Sequence, residues 1–87
     1  NRETQEQRSI IIAIDAESKL FLNGDPISSD SLVAEVSLAK SVSPNVPVLI
    51  EGDANIPYGA VISLMDKVKQ AGVDDVGLVF SPMAISQ

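Results

Sequence analysis

Carboxylates are the only groups in this 87-residue chain with a clear capacity for acid–base or metal chemistry. The sequence contains no histidine and no cysteine, which excludes most nucleophile–base pairs and zinc sites. Glu51 and Asp53 fall in a predicted acidic turn between a strand and a helix, where α/β sheets bind ligands. That place suits a metal or a general base. A simpler interpretation is that Asp53 accepts backbone N–H bonds near the helix start and that Glu51 is solvated.

The remaining polar side chains have similarly simple interpretations. Asp74 and Asp75 are adjacent acids without the further spacing of a calcium-binding loop, so they predict a solvated turn. Asp66 lies one position beyond an apolar helical stripe and is expected to face solvent. Tyr58 is predicted either as a half-buried ring over a helix start or as a surface contact beside Asp53. We therefore predict a protein that is not an enzyme, with no catalytic residue, no metal site and no cofactor.

The stretch from Val46 to Phe80 predicts the elements that position these residues. A short apolar run precedes the acidic turn and predicts a strand. Pro57 suits the first position of a helix because its φ is fixed, and apolar residues then recur at helical spacing. Gly72 predicts a left-handed C-cap, and the apolar run from Val76 predicts a second strand. Together these signals predict one βαβ unit.

The N-terminal half predicts a strand pair and a helix. Ser9 to Asp15 reads as a strand with apolar side chains on both faces. A second strand at 20–22 ends at Asn23 and Gly24, which both tolerate positive φ and predict a tight turn. After a brief extended piece, Ser28 is predicted as the N-cap of a helix that Ser43-Pro44-Asn45 ends.

The predicted order is β-β-α-β-α-β, an α/β (α+β) two-layer sandwich with both helices on one face of a mixed four- to five-stranded sheet. At this length a single domain is expected, at residues 9–80, between a linker at 1–8 and a flexible tail at 81–87. The predicted core consists of Ile12, Leu32, Val36, Ile50, Leu64, Val68 and Leu78.

The composition limits the classes of partner. Hydrophobic residues make up 45% of the chain and aromatic residues 3%, so the core must be aliphatic. The formal net charge of −6 opposes binding to nucleic acid, which needs clustered Lys and Arg. No apolar run approaches the roughly 20 residues of a membrane helix, and no signal peptide is visible. Because the chain begins with Asn, we expect a fragment of a longer protein.

The order and spacing of several short motifs closely resemble the periplasmic domain of the ExbD/TolR family of biopolymer transport proteins. The resemblance covers about residues 9–80, and one departure is Gly52, where a bulkier residue such as Ala is expected. The motifs are Leu22-Asn23-Gly24, Asp53-x-x-Ile56-x-Tyr58-Gly59, Leu64-Met65-Asp66, Ala71-Gly72-Val73 and Val76-Gly77-Leu78.

The resemblance implies the periplasmic domain of a single-pass inner-membrane protein of a Gram-negative bacterium. Such proteins form homodimers and join an ExbB/TolQ-type membrane protein in a stator driven by the proton motive force. Their membrane helix carries a proton-handling aspartate, which here would precede Asn1. The resemblance further implies that the domain passes work to a TonB/TolA-type protein or anchors the machine to peptidoglycan. It leaves the Ton and Tol branches open.

A second interpretation comes from the residues alone. A sheet with an exposed edge can bind an extended peptide by strand addition, so the chain is alternatively a periplasmic module that binds peptides or small ligands. An enzyme using Glu51 and Asp53 is a third and weaker reading. Under the first two interpretations, the predicted partner-binding residues are Asp53, Asn55, Pro57, Tyr58 and Gly59.

Overall fold

The computed structural model describes residues 9–82. The predicted linker at 1–8 and the tail residues 83–87 lie outside the described residues. The seven elements are β1 (Ile10–Ile14), β2 (Leu20–Leu22), β3 (Asp25–Ile27), α1 (Ser29–Val42), β4 (Val48–Asp53), α2 (Tyr58–Gln70) and β5 (Gly77–Ser81). The brief extended piece before the first helix is therefore a strand, β3, and Ser81 belongs to β5 rather than to a tail.

The five strands form one mixed sheet in the order β3-β2-β1-β4-β5. β1, β4 and β5 are parallel neighbours, while β2 and β3 run antiparallel to the strands beside them. Both helices pack on the same face, because Leu32 of α1 and Leu64 of α2 belong to one core cluster with Ile12 and Ile50 of the sheet. The predicted fold class is confirmed, and β3 and β5 are the two edges of the sheet.

The core lies between the two helices and one face of the sheet. Alternate residues of β1 and β4 point into it, and Ile12 and Ile50, which face each other in register, are both fully buried. α1 contributes Leu32 and Val36, and the buried stripe of α2 includes Leu64. All buried apolar side chains of the structure are aliphatic: Ile10, Ile12, Ile14, Leu32, Val36, Val48, Ile50, Val61, Leu64, Val68, Ala71 and Val73.

Leu78 is the predicted core residue that the structure places elsewhere. It lies in register with Ile50 on the helix side of the sheet, yet 42% of its surface is exposed. The cause is its strand, since β5 has a neighbour on one side only and each of its five residues is exposed. The expectation that Leu78 belongs to the core is therefore wrong.

The turn after β2 uses the chemistry predicted from its sequence. Asn23 and Gly24 both have positive φ, 50° and 93°. Asn23 also joins the turn to β1, because its backbone N–H donates to the Ile11 carbonyl at 2.8 Å and its Oδ1 accepts the Ile11 N–H at 2.9 Å. Ser18, before β2, has a φ of 67° that the sequence did not predict.

Helix boundaries follow their capping residues. The Ser28 hydroxyl accepts the Ser31 N–H at 3.2 Å, which makes Ser28 the predicted N-cap of α1. α1 ends at Val42 with Ser43 as its C-cap, where Ser43-Pro44-Asn45 predicts the end of the helix. Gly72 follows the end of α2 with a φ of 97°, as predicted for a left-handed C-cap.

Candidate partner-binding site

The acidic residues predicted as a turn are part of a strand. Glu51 and Asp53 belong to β4, where Glu51 pairs with both β1 and β5 and Asp53 pairs with β5, and the turn comes later, at residues 54–57. Helix α2 begins at Tyr58, with Pro57 as its N-cap rather than its first helical residue. The interpretation of 51–53 as a turn is therefore wrong, because these residues extend β4 to its full length of six.

Asp53 stabilises the turn that follows it. Its side chain is buried, with 4% exposed. One carboxylate oxygen accepts the Asn55 N–H at 2.8 Å, and its backbone carbonyl accepts the Ile56 N–H at 3.0 Å. The predicted acceptance of a backbone N–H by Asp53 is found, at Asn55 in the turn before α2.

The other predicted binding residues form an exposed rim around the start of α2. Asn55, Pro57 and Gly59 are exposed, and 78% of the Tyr58 surface is accessible. Of the two interpretations of Tyr58, this exposure favours a ring available for surface contact over a half-buried one. The structure thus brings Tyr58, Asn55, Pro57 and Gly59 together on the surface and leaves Asp53 beneath them.

This rim adjoins the free edge of the sheet. The Ala54 N–H donates to the Ser81 carbonyl at 3.0 Å, so the main-chain groups of Ser81 face β4. Main-chain groups alternate in direction along a strand, and those of Leu78 and Phe80 therefore point away from β4 towards the free edge. The side chains of Leu78, Val79 and Phe80 are 42%, 47% and 47% exposed.

Only one of the two sheet edges is suited to pairing with another strand. β3 has three residues and includes Asp25 and Pro26, and natural proteins use short strands, charges and prolines to block edges. β5 has five residues without charge or proline. The sequence reasoning missed this edge because Leu78 to Phe80 resembles a core strand. The available signal was position, since the last strand of a βαβαβ series lies at an edge of the sheet.

The other described carboxylates named above lie in separate parts of the domain. Glu51 lies on the sheet face opposite the helices and is partly buried, whereas Asp66, Asp74 and Asp75 are exposed near α2 and the start of β5. Among residues 9–82, no group of three His, Cys, Asp or Glu side chains is placed to hold a metal ion. The exposed edge and its rim offer main-chain hydrogen bonds and apolar contact, which are the means of binding a polypeptide.

Comparison with known proteins identifies the family. The family model for biopolymer transport protein ExbD/TolR matches residues 1–83, which is nearly the whole chain. The chain belongs to the ExbD/TolR family. Neither helix of this ExbD/TolR chain, within the part that the structure describes, is long and apolar enough to cross a membrane.

Both named branches of the family contain relatives of this ExbD/TolR chain. The biopolymer transport protein ExbD of Pseudomonas aeruginosa is 27% identical over 75 residues, covering 86% of this chain and 56% of that protein. ExbD of Escherichia coli K12 is 19% identical over 84% of this chain and 52% of its own length. The Tol-Pal system protein TolR of P. aeruginosa is 38% identical over 61% of this chain and 36% of its own. The chain thus spans about half the length of the ExbD relatives it matches.

Gly52, the position at which this ExbD/TolR chain departs from the expected pattern, lies under an aromatic ring. Gly52 pairs with Phe80 across β4 and β5. A Cβ atom at position 52 would lie 2.7 Å from Phe80 Cε1 and 2.8 Å from Cδ1. Glycine is therefore the residue that admits the ring, and the departure has a local cause in packing.

Proposed function

We propose that this chain is the periplasmic domain of a proton-motive-force-driven stator subunit in a Ton- or Tol-type system. Its task is to pass work from an ion channel in the inner membrane to a TonB/TolA-type protein, which supports outer-membrane transport or envelope integrity. Membership of the ExbD/TolR family supports this assignment, as do the relatives named ExbD and TolR. The protein acts by binding and is not an enzyme.

The energy for this function is supplied outside the described domain. Movement of one elementary charge across 100 mV releases about 2.3 kcal/mol. In the proposed assembly, an ExbB/TolQ-type membrane protein and a membrane helix of the subunit itself use that energy. The domain delivers it through contacts in the periplasm, so the strength and geometry of those contacts determine what it transmits.

The observation that carries the proposal is the open edge of β5. A partner segment that adds to this edge gains hydrogen bonds from the outward main-chain groups of Leu78 and Phe80. The part of the bound segment beside Ser81 reaches the exposed rim at Tyr58, because the hydrogen bond between Ala54 and Ser81 joins the rim to the end of β5. Main-chain bonding supplies affinity, and the side chains of the rim supply selectivity.

Two substitutions at Leu78 test this edge. Leu78→Ala and Leu78→Pro both remove the side chain, but only proline removes the outward N–H. We expect Leu78→Pro to weaken binding of the periplasmic region of a TonB/TolA-type partner at least tenfold, equal to about 1.4 kcal/mol, relative to Leu78→Ala. Isothermal titration calorimetry measures the affinities, and circular dichroism checks that both variants are folded.

NMR shift mapping with the same partner region locates the contact. We expect the largest shifts at β5 and at Tyr58, and Tyr58→Ala should weaken binding while leaving the fold intact. Shifts confined to Lys67, Lys69 and Gln70 on α2 would contradict the proposed surface. Shifts at the rim produced by peptidoglycan fragments and not by the partner would instead assign the domain to anchoring.

Self-association is expected to be weak. The uncharged edge of β5 can pair with a second copy, but the two copies each carry a formal charge of −6 and repel. A membrane helix on each copy, held in the same assembly, would raise the local concentration of the two domains. Sedimentation equilibrium should therefore detect a monomer at low concentration and a homodimer at high concentration. A strictly monomeric chain at millimolar concentration would place dimerisation outside this domain.

A further inference from the structure

A groove runs along the side of α2 that faces β5. Ile62, Met65 and Lys69 line it and recur at helical spacing along α2. The groove has a volume of about 700 Å³ and extends to the segment that enters β5. Its apolar lining consists of Ile62, Met65, Val68, Val73 and Val76.

The edge strand that follows Val76 exposes further apolar side chains. Leu78 and Phe80 lie in register with Ile50 and Gly52, whose faces point towards the helices. Ile62 is 46% exposed on the helix beside them. A strand paired with β5 would place the side chains opposite Leu78 and Phe80 on this same helix side, because directly opposed residues share a face.

The charge along the groove is predominantly negative. Asp66, Asp74 and Asp75 line it, and Lys69 is the cation among the lining residues. Asp74 and Asp75 lie just before β5, beside the end of the groove where an added strand would pass Val76. The excess negative charge there favours a basic side chain on the bound segment and opposes an acidic one.

We propose that the segment bound by β5 has apolar side chains opposite Leu78 and Phe80 and a lysine or arginine beside Asp74 and Asp75. This inference rests on the proposed function and specifies the chemistry of the partner. Antiparallel pairing is slightly more stable than parallel pairing, and it places the basic residue on the C-terminal side of the apolar pair. Because side chains alternate between the two faces of a strand, the basic side chain lies on the helix side when it is opposite Asp74, and the motif is apolar-x-apolar-x-x-x-basic.

Three synthetic peptides test the motif against the 87-residue chain. The first has valines at both apolar positions, threonines between them and a lysine at the basic position. The second replaces the lysine with glutamate, and the third replaces the valines with asparagines. We expect each replacement to weaken binding about five- to tenfold at low salt. The difference in affinity between the lysine and glutamate peptides should shrink in 0.5 M salt, because the electrostatic screening length there is roughly half its value at physiological ionic strength.

A charge exchange in the protein provides the matched test. The double variant Asp74→Lys, Asp75→Lys should bind the glutamate peptide more tightly than the lysine peptide, reversing the preference. Glu35→Lys is the control, because Glu35 is exposed on α1 and lies outside the groove. It should leave the order of the peptides unchanged.

The outcomes separate this inference from the function on which it rests. If the peptides bind with equal affinity, or if none binds, the motif is wrong, while the proposed function stands as long as Leu78→Pro still blocks the partner region. If the partner region does not bind at β5, the proposed function fails. Two results together support both the motif and the proposed function. The double variant at Asp74 and Asp75, but not the Glu35→Lys control, reverses the preference between the lysine and glutamate peptides. Leu78→Pro loses binding of the partner region.

Discussion

Replacement of Leu64 with alanine is expected to lower the free energy of unfolding by about 2–5 kcal/mol. Leu64 is 3% exposed and belongs to the cluster that joins α2 to α1 and the sheet. Alanine would remove the apolar contacts and leave a cavity that the surrounding β-branched side chains can fill only in part. A domain of this size has roughly 5–10 kcal/mol of stability in all, so the variant should lose a large share of it.

A urea unfolding curve followed by circular dichroism measures the change. Leu38→Ala is the matched control, because it makes the same chemical change on a helix where 61% of the side chain is exposed. We expect the control to remain within about 0.5 kcal/mol of the parent. A loss below 0.5 kcal/mol for Leu64→Ala would show that this side of α2 does not hold the domain together.

The parts of the fold that were predicted correctly are those with local causes. Asn23 and Gly24 predict a turn because both tolerate positive φ, and both have it. Ser28 and Gly72 cap their helices for reasons contained in a few neighbouring residues. Apolar residues recur at helical spacing up to Ala71 and predict the buried stripe of α2, since residues on one face of a helix recur every three to four positions.

The parts that were missed depend on contacts between distant elements. Glu51 and Asp53 resemble a polar turn, but Glu51 pairs with both β1 and β5, and Asp53 pairs with β5, which keeps them in β4. Leu78 resembles a core residue because its sequence is that of a strand covered on both faces. Its exposure follows from the position of β5 at the edge of the described sheet, which depends on the order of the strands rather than on any one run of residues.

The candidate site divides in the same way. Tyr58 and its neighbours were identified because a helix start after a strand is a common binding place in α/β sheets, and their role remains a prediction. The free edge beside them was invisible until the order of the strands was known. The face of the sheet on which Phe80 lies depends further on the register of β5 with β4.

Replacement of Gly52 with alanine is expected to destabilise the domain by about 1–3 kcal/mol. The new Cβ would fall within 2.8 Å of two atoms of the Phe80 ring, so the ring must move outwards from β4. The movement would lose the packing of the ring on the sheet and expose more apolar surface at the edge. The predicted direction is opposite to the usual effect, because alanine ordinarily stabilises a strand relative to glycine.

Combining this change with Phe80→Ala tests the cause. Without the ring, position 52 has space for a Cβ, whose next neighbour is Ile14 Cγ2 at 3.8 Å, so Gly52→Ala should then be neutral or stabilising. The double-mutant cycle in urea should therefore give a coupling energy of about 1 kcal/mol or more. Gly59→Ala is the control, since nothing lies within 4 Å of a Cβ at that position of α2, and it should stabilise the domain by about 0.5–1 kcal/mol. Additive effects of Gly52→Ala and Phe80→Ala would contradict the explanation, because the glycine would then be required for a reason other than the ring that rests on it.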